Sequence, residues 1–389
     1  MKRQALNPQT NLDRIHRFFR TLVNSLPNLV NPVRLLLTIH DSRITLPRFP
    51  VNPVRVLFGV IFLCVWSVSA ADAPEIRLGF FPNVTHAQAL YARATGCFES
   101  KTGVPIRWTA FNAGPSAIEA LFSGAIDATF VGPGPAINGF LKSHGEKFVI
   151  VSGGACGGAA LVVRADSEIQ TDKDFNGKTV ATPQLGNTQD IAARVWLREK
   201  GYRFTAQGGT VNLIAMANAD QLTLFRTKQI DAAWTIEPWV SRLELDGGGR
   251  ILLEEKDLWP GGHYVTTHLV VTRDFLKKYP ETLRKLIRAN VEVTQWINSN
   301  KPAALPILNA QILKDTSKAL ADAVIQRAMQ RVELTWDPAV DSLYKDADSA
   351  YAIRFITAKP DLTGIYELGL LNEVLKEKSL PPVAGPKPK

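Results

Sequence analysis

Hydrophobic and polar residues alternate in two rhythms along this chain, and the change from one to the other marks its elements. Short apolar runs at Glu75–Phe81, Val104–Phe111 and Ala125–Gly132 predict strands, each followed by a turn and a helical stretch, at 87–96, 117–124 and about 135–143. Lys147–Ala155 and Ala159–Ala165 are apolar and rich in β-branched residues, with glycines between them. A second series begins at Asp174. It has strands at 178–183, 211–216 and 230–235, helices at 191–201 and 220–228, a turn at Glu237-Pro238-Trp239, and an extended run at 263–274. From Asp274 to about 378 the pattern is largely helical. Strands alternating with helices of about ten residues predict an α/β protein with mostly parallel sheets.

Within this pattern, Leu121–Ala136 (LFSGAIDATFVGPGPA) has an echo at Leu224–Trp239 (LFRTKQIDAAWTIEPW). Each runs from Leu-Phe at a helix end, through Ile-Asp-Ala, into a buried strand and a loop at the strand's carboxyl end. In open α/β sheets that edge is where ligands sit. Two such units predict two lobes facing each other across a cleft. The extended segments 159–165 and 264–272 are expected to be the crossings between them. This places lobe I at 75–165 plus 268–380, lobe II at 166–267, and a flexible Pro/Lys-rich tail at 381–389.

A length of 389 residues accommodates two such lobes. The formal charge of +9 suggests nucleic acid or anionic membrane until its location is considered. Residues 1–70 hold nine Lys/Arg against Asp13 and Asp41, which leaves the rest of the chain at +2. The basic character therefore belongs to a leader, and a nucleic-acid role loses its support. Within that leader, 56–70 (VLFGVIFLCVWSVSA) has the apolar core and small-residue ending of a secretory signal, with cleavage expected after Ala70. The 55 residues ahead of it exceed an ordinary basic region, which points to a true start near Val51 or Val54, or to an extended leader. Cys64 follows Ile61-Phe62-Leu63, unlike a lipid-modification site. After cleavage only Cys97 and Cys156 remain, too few for a disulfide framework.

Several strings imitate enzyme motifs. Gly177-Lys178-Thr179 resembles the end of a phosphate-binding loop, but Asp172 stands where that loop needs glycine, and a strand follows. Gly154-Ala155-Cys156-Gly157-Gly158 has the spacing of a nucleophile elbow, yet it too leads into a strand rather than a helix. His86, His144, His263 and His268 lack metal-site spacing, so neither metal nor cofactor is expected.

The loops that open helices carry better candidates. Asn83, Thr85 and His86, then Gly114-Pro115-Ser116, then Gly186-Asn187-Thr188-Gln189 put hydroxyl, amide and glycine residues where a helix starts. Such residues cap a helix's unpaired N–H groups, and the same N–H groups and dipole bind anions. Trp234 and Trp239 flank Glu237 and could border the organic part of a ligand. An unpaired Glu237 would repel an anion. It must act from behind the ligand, pair with a basic residue, or meet the cationic part of a zwitterion.

The strings GFFPNVTHAQAL (79–90), FNAGPSAIEALFSGAIDATFVGPGPAING (111–139), GGAALVVRADS (157–167), DFNGKTVATPQLGNTQDIAARVWL (174–197) and IDAAWTIEPWVSRL (230–243) resemble the periplasmic substrate-binding proteins of ABC importers for aliphatic sulfonates, taurine and nitrate. The resemblance covers most of 75–380. It implies a type II Venus-flytrap fold and a monomeric, non-enzymatic receptor for a small organic anion, most naturally a sulfonate. It also implies delivery to an ABC permease and ATPase on separate chains. Ligand contacts are implied at Asn83, Thr85 and His86; at Gly114, Pro115 and Ser116; at Gly132, Pro133 and Gly134; at Cys156, Gly157 and Gly158; at Leu185, Gly186, Asn187, Thr188 and Gln189; and at Trp234, Glu237 and Trp239. Sulfonate-like members commonly have serine where this chain has Cys156, which weakens the carry-over of ligand identity. Two alternatives stand beside this reading. One is a nitrate or bicarbonate receptor. The other is an enzyme on the same fold, such as a thiamine pyrimidine-precursor synthase, in which Cys156 or His86 would do chemistry.

Overall fold

A computed structural model describes residues 73–386; the expected signal, its cleavage site and the last three residues lie outside the described residues. The chain forms two sheets. The first has six strands: β1 (Ile76–Phe80), β2 (Ile106–Ala110), β3 (Ala128–Val131), β4 (Phe148–Gly157), β10 (Val265–Thr272) and β11 (Val332–Leu334), in the order β11-β4-β10-β3-β1-β2. The second has five: β5 (Ala159–Arg164), β6 (Thr179–Thr182), β7 (Asn212–Ala215), β8 (Ala232–Ile236) and β9 (Gly249–Glu254), in the order β7-β6-β8-β5-β9. β1, β2 and β3 run parallel, as do β6, β7 and β8, while β10 and β5 lie antiparallel to their neighbours.

Each sheet is buried on both faces, which is why its strands are near-continuous apolar runs. Leu78, Phe80, Phe130 and Val151 join one core, and Val131, Phe148, Ile150 and Val270 join the core on the opposite face. In the second sheet Leu161, Val163 and Trp234 face one core, while Ala160, Val162 and Ala233 face another. The period of two between these sets is the strand pleat.

The lobe boundaries differ from the sequence expectation. β5 pairs with β8 and β9, so 159–165 belongs to the second lobe rather than the first. The chain crosses one step earlier, at Gly157-Gly158. Both residues have left-handed backbone, φ 73° and 86°, and a Cβ on Gly157 would lie 2.8 Å from the Arg331 carbonyl oxygen. Glycine is required there on both counts. The return passes through two short 3-10 turns, Glu255–Leu258 and Pro260–Gly262, and enters the first sheet at Val265. The two crossings are tied together. The Tyr264 hydroxyl accepts from Ala159 N at 3.1 Å, and Gly157 N donates to Tyr264 O at 3.1 Å.

Four helices and strands escaped the sequence reading: the edge strand β9, the three-residue β11, and helices at Cys97–Thr102 and Trp239–Leu245. The expected flexible tail is also corrected as far as Pro386. Val383 is buried and exchanges two hydrogen bonds with the Asn372 side chain, at 2.9 and 3.2 Å.

Candidate functional site

Three helices open at one place between the lobes. These are α3 (Gly114–Phe122) after β2, α4 (Pro133–Lys142) after β3, and α5 (Thr188–Glu199) after β6; the first two helices of the chain, α1 (Ala87–Thr95) and α2 (Cys97–Thr102), precede them. Their N-cap residues Ala113, Gly132 and Asn187 make no side-chain capping bond. In α3 and α5 this leaves first-turn N–H groups for other acceptors, whereas α4 opens Pro133-Gly134-Pro135, whose prolines carry no N–H. The starts meet closely. A Cβ on Gly114 would stand 3.2 Å from Asn187 Oδ1, one on Gly132 would stand 2.3 Å from Thr188 Oγ1, and Gly134 N donates to Thr188 Oγ1 at 3.3 Å. Only glycine permits that approach, and this accounts for the Gly-Pro-Gly loop after β3.

Next to these starts lies a cavity of about 20 Å³, room for one water in this closed arrangement. Asn83, Thr85, His86, Asn112, Gly132 and Thr266 line it from the first lobe; Asn187, Thr188, Gln189, Asn218 and Ile236 line it from the second. No Asp, Glu, Lys or Arg is among the lining residues. Polarity here comes from amides, hydroxyls and helix ends.

His86 is neutral. Burial pushes it down to about 3, its ring stacks on Phe81 with centroids 4.3 Å apart, and its Nδ1 accepts from Phe81 N at 3.2 Å. The ring proton therefore sits on Nε2, as a donor on the cavity wall. Asp190 is fully buried but fully engaged. It accepts from Thr182 Oγ1 at 2.7 Å, Gly186 N at 2.9 Å and Arg194 Nε at 2.9 Å, which fixes the loop that presents Asn187.

The remaining expected residues have other surroundings. Trp234 does not border the cleft: it is fully buried against Trp196, with Nε1 donating to Glu255 at 2.6 Å. Glu237 is buried behind the site, where its carboxylate accepts from Ser241 N (3.0 Å), Ser241 Oγ (2.9 Å) and Arg331 Nη1 (3.2 Å). Of the three roles open to it, it takes pairing with a basic residue. Arg331 extends from a first-lobe helix and also meets Glu254 at 3.0 Å and Glu244 at 3.1 Å, so it holds the lobes together beside the crossings. Leu185 is exposed, Gly157 and Gly158 form the crossing, Pro115 is in α3, Pro133 opens α4, and Ser116 bonds Gln184 across the cleft's other lip at 3.1 Å. Trp239 lies outside the cavity, where its Nε1 donates to Asn83 Oδ1 across the lobes at 3.3 Å.

Cys156 faces away from the cavity, toward His263. Sγ is 3.8 Å from Nε2, and Nδ1 is 3.5 Å from Glu333 Oε2, which imitates a nucleophile, base and orienting acid. The resemblance is only geometric. Burial and the charges of Glu333 and Asp337 push the thiol well above its ordinary range, so no thiolate forms near neutrality. Cys97 and Cys156 are both free thiols.

Asn112 and Asn218 were missed by sequence reasoning, although each stands just ahead of or at a helix start, as Asn187 does. Phe81, Ile236 and Thr266 carried no distinguishing signal, and neither did Arg331, which the fold brings in from far along the chain.

Two α/β lobes, two paired crossings and one uncharged polar cleft define a type II periplasmic-binding-protein fold. The chain belongs to the NMT1-like family, whose model matches residues 69–312. It is 24% identical over 336 residues to a Bacillus subtilis (strain 168) protein named for binding aliphatic sulfonates, covering 83% of this chain and 97% of that one. Among solved structures it is similar to the alkanesulfonate-binding protein SsuA of Xanthomonas axonopodis pv. citri bound to MOPS (TM-score 0.65, 20% identity, 77% of this chain and all of that one). It is likewise similar to the nitrate-binding protein NrtA of Synechocystis PCC 6803 (TM-score 0.68, 15% identity, 80% and 91%). These relatives are binding proteins, not enzymes.

Proposed function

We propose that the chain is an exported solute receptor that closes on a small organic anion, most favourably an aliphatic sulfonate, and delivers it to an ABC import permease driven by a separate ATPase. The observation that carries this reading is a cavity without formal charge at which the uncapped start of α5 from one lobe meets Asn83, Thr85 and the His86 ring of the other. An anion held there accepts from both lobes only when they are closed, so binding favours closure through differential affinity for the two states. Asn83, Thr85, His86, Asn187, Thr188 and Gln189 are the proposed contacts. The names of the relatives point to sulfonates. A nitrate or bicarbonate receptor is the second reading, favoured by the small volume of the inner cavity.

A thermal-shift panel tests both. The purified protein, stripped of carried ligand, is heated with taurine, short alkanesulfonates, an arylsulfonate, nitrate, bicarbonate, a phosphonate and a thiamine precursor. At about a hundred times its dissociation constant a ligand adds roughly 2.7 kcal/mol, which moves the midpoint by several degrees. A shift confined to sulfonates is expected. A shift confined to nitrate or bicarbonate selects the second reading, and a flat panel removes both. Export is tested separately by the N-terminus of the protein recovered from the periplasmic fraction, expected at Ala71.

A further inference from the structure

The cavity does not end at the helix starts. Through Asn83, Asn112 and Asn218, which line both spaces, it continues into an open groove of about 810 Å³ between the lobes. Its floor is apolar where Leu222, Ile312, Leu320 and the Trp239 ring come together. Its rim carries three cations from three different elements. Arg226 ends the helix Asn218–Arg226, Arg242 lies in the helix Trp239–Leu245, and Lys318 follows the helix Lys301–Thr316.

Arg226 and Lys318 are exposed and make no ion pair among the described residues. Arg242 covers the Trp239 ring at 4.5 Å and reaches Asp246 only at 3.5 Å. The one carboxylate lining the groove, Asp315, is already joined to Arg93 and accepts from Gln311 Nε2 at 2.9 Å, although its Oδ2 is buried without a hydrogen bond. The inner cavity is thus polar and uncharged, the passage apolar, and the outer rim positive.

We propose that this groove is a second ligand subsite, so that the preferred solute is an elongated amphipathic dianion with one acidic group at the helix starts, an apolar body along Leu222, Leu320 and Trp239, and a second acidic group at Arg226, Arg242 and Lys318. The proposal rests on the reading that the inner cavity takes an anionic head. Three cations around a partly desolvated end favour a second negative charge, and the apolar floor favours a hydrocarbon spacer over a compact polyanion.

The test compares 1-alkanesulfonates with alkane-α,ω-disulfonates of equal chain length by titration calorimetry at fixed ionic strength. The dianion is expected to bind about tenfold tighter, with the ratio peaking at one spacer length, because the second sulfonate must reach the rim. In Arg226→Gln/Lys318→Gln the ratio falls toward one. In Lys314→Gln, on the helix that Lys318 follows but outside the groove, it persists. Equal affinity of the two series, or a ratio independent of spacer length and of the double variant, overturns the subsite and leaves the inner-cavity reading standing. Tighter binding of an ω-ammonium sulfonate than of either series also overturns it and assigns the groove to Asp315. Binding of neither series overturns the inner-cavity reading, and the subsite with it.

Discussion

The two echoing units, Leu121–Ala136 and Leu224–Trp239, fold alike and end differently. Each is a helix end, a turn, a fully buried strand and a loop at the cleft. After β3 the loop is Gly132-Pro133-Gly134, whose missing side chains let the two lobes meet at Thr188. After β8 it is Glu237-Pro238-Trp239, whose carboxylate turns inward to Arg331 and whose indole turns outward to Asn83. One repeat became the contact surface and the other became the fastening beside the crossings. Similarity of shape therefore says where a loop stands, while the loop's own side chains decide what it does there.

The comparison breaks most visibly at the fastening. Arg331→Ala leaves Glu237 buried without its cation, with Glu244 and Glu254 nearby. A loss of about 3–5 kcal/mol in unfolding free energy is expected, read by urea denaturation. Adding Glu237→Gln to that variant should return part of the loss, because the most deeply buried of the unpaired carboxylates is then gone. A stability unchanged by Arg331→Ala would mean that Arg331 pairs only incidentally.

The contact surface is tested by Gly132→Val. The added carbons collide with Thr188 when the lobes are closed, while in their own lobe they meet only the tighter-than-usual 3.3 Å approach to the Thr266 carbonyl, so solute binding should weaken at least a hundredfold, about 2.7 kcal/mol, and the midpoint of the ligand-free protein should fall by much less. Calorimetry and thermal unfolding of the same sample check both halves.

A pH series sharpens the contrast, because the groups beside the two loops titrate in opposite senses. Burial lifts Glu237 and Glu255 to about 7, so their contribution to stability is present below the ordinary carboxylate value of 4.5 and is lost as pH rises through 7. Burial lowers His86 to about 3 and His268 to about 4, so theirs is present above 6.5 and is lost as pH falls toward those values. Burial lifts Asp346 as well, so between pH 5 and 6.5 the falling contributions outnumber the rising ones and the wild-type urea midpoint should fall as pH rises. In Glu237→Gln one falling contribution is gone, and the fall should become shallower.

The smallest expected effect is at the outer loop. Trp239→Phe keeps a smaller aromatic face beside Arg242 and loses the indole N–H with its 3.3 Å bond to Asn83, so solute affinity should fall about threefold. A larger loss would give the indole a share in solute contact.

Much of this fold was legible in the chain. Strands buried on both faces announce themselves as continuous apolar runs, but for the same reason 159–165 reads as a crossing when it is a strand, and the glycines just before it carry the turn. What escaped was marginal by nature. β9 is a half-buried edge strand framed by glycines and charges, and β11 is three residues long. The Trp234 error has a physical cause: every residue of β8 is buried, so alternation offers no outward face and an aromatic there reads equally well as wall or core. The helix-start loops were legible because their residue types serve capping and anion binding alike. Arg331 was not, since nothing local marks a cation whose partners are supplied by another lobe.

The crossing at Gly157-Gly158 also sets an order of assembly. All five strands of the second sheet lie in the unbroken stretch from Ala159 to Glu254, whereas the first sheet lacks its interior strand β10 until Val265–Thr272 arrives, and its edge β11 until Val332–Leu334. A chain emerging from its N-terminus can finish the inserted sheet while β3 and β4 still wait, unpaired along the edges that β10 will join. Nearby partners find each other sooner than distant ones. The lobe that comes second in sequence is thus the first able to stand complete, and the lobe that begins the protein is the last.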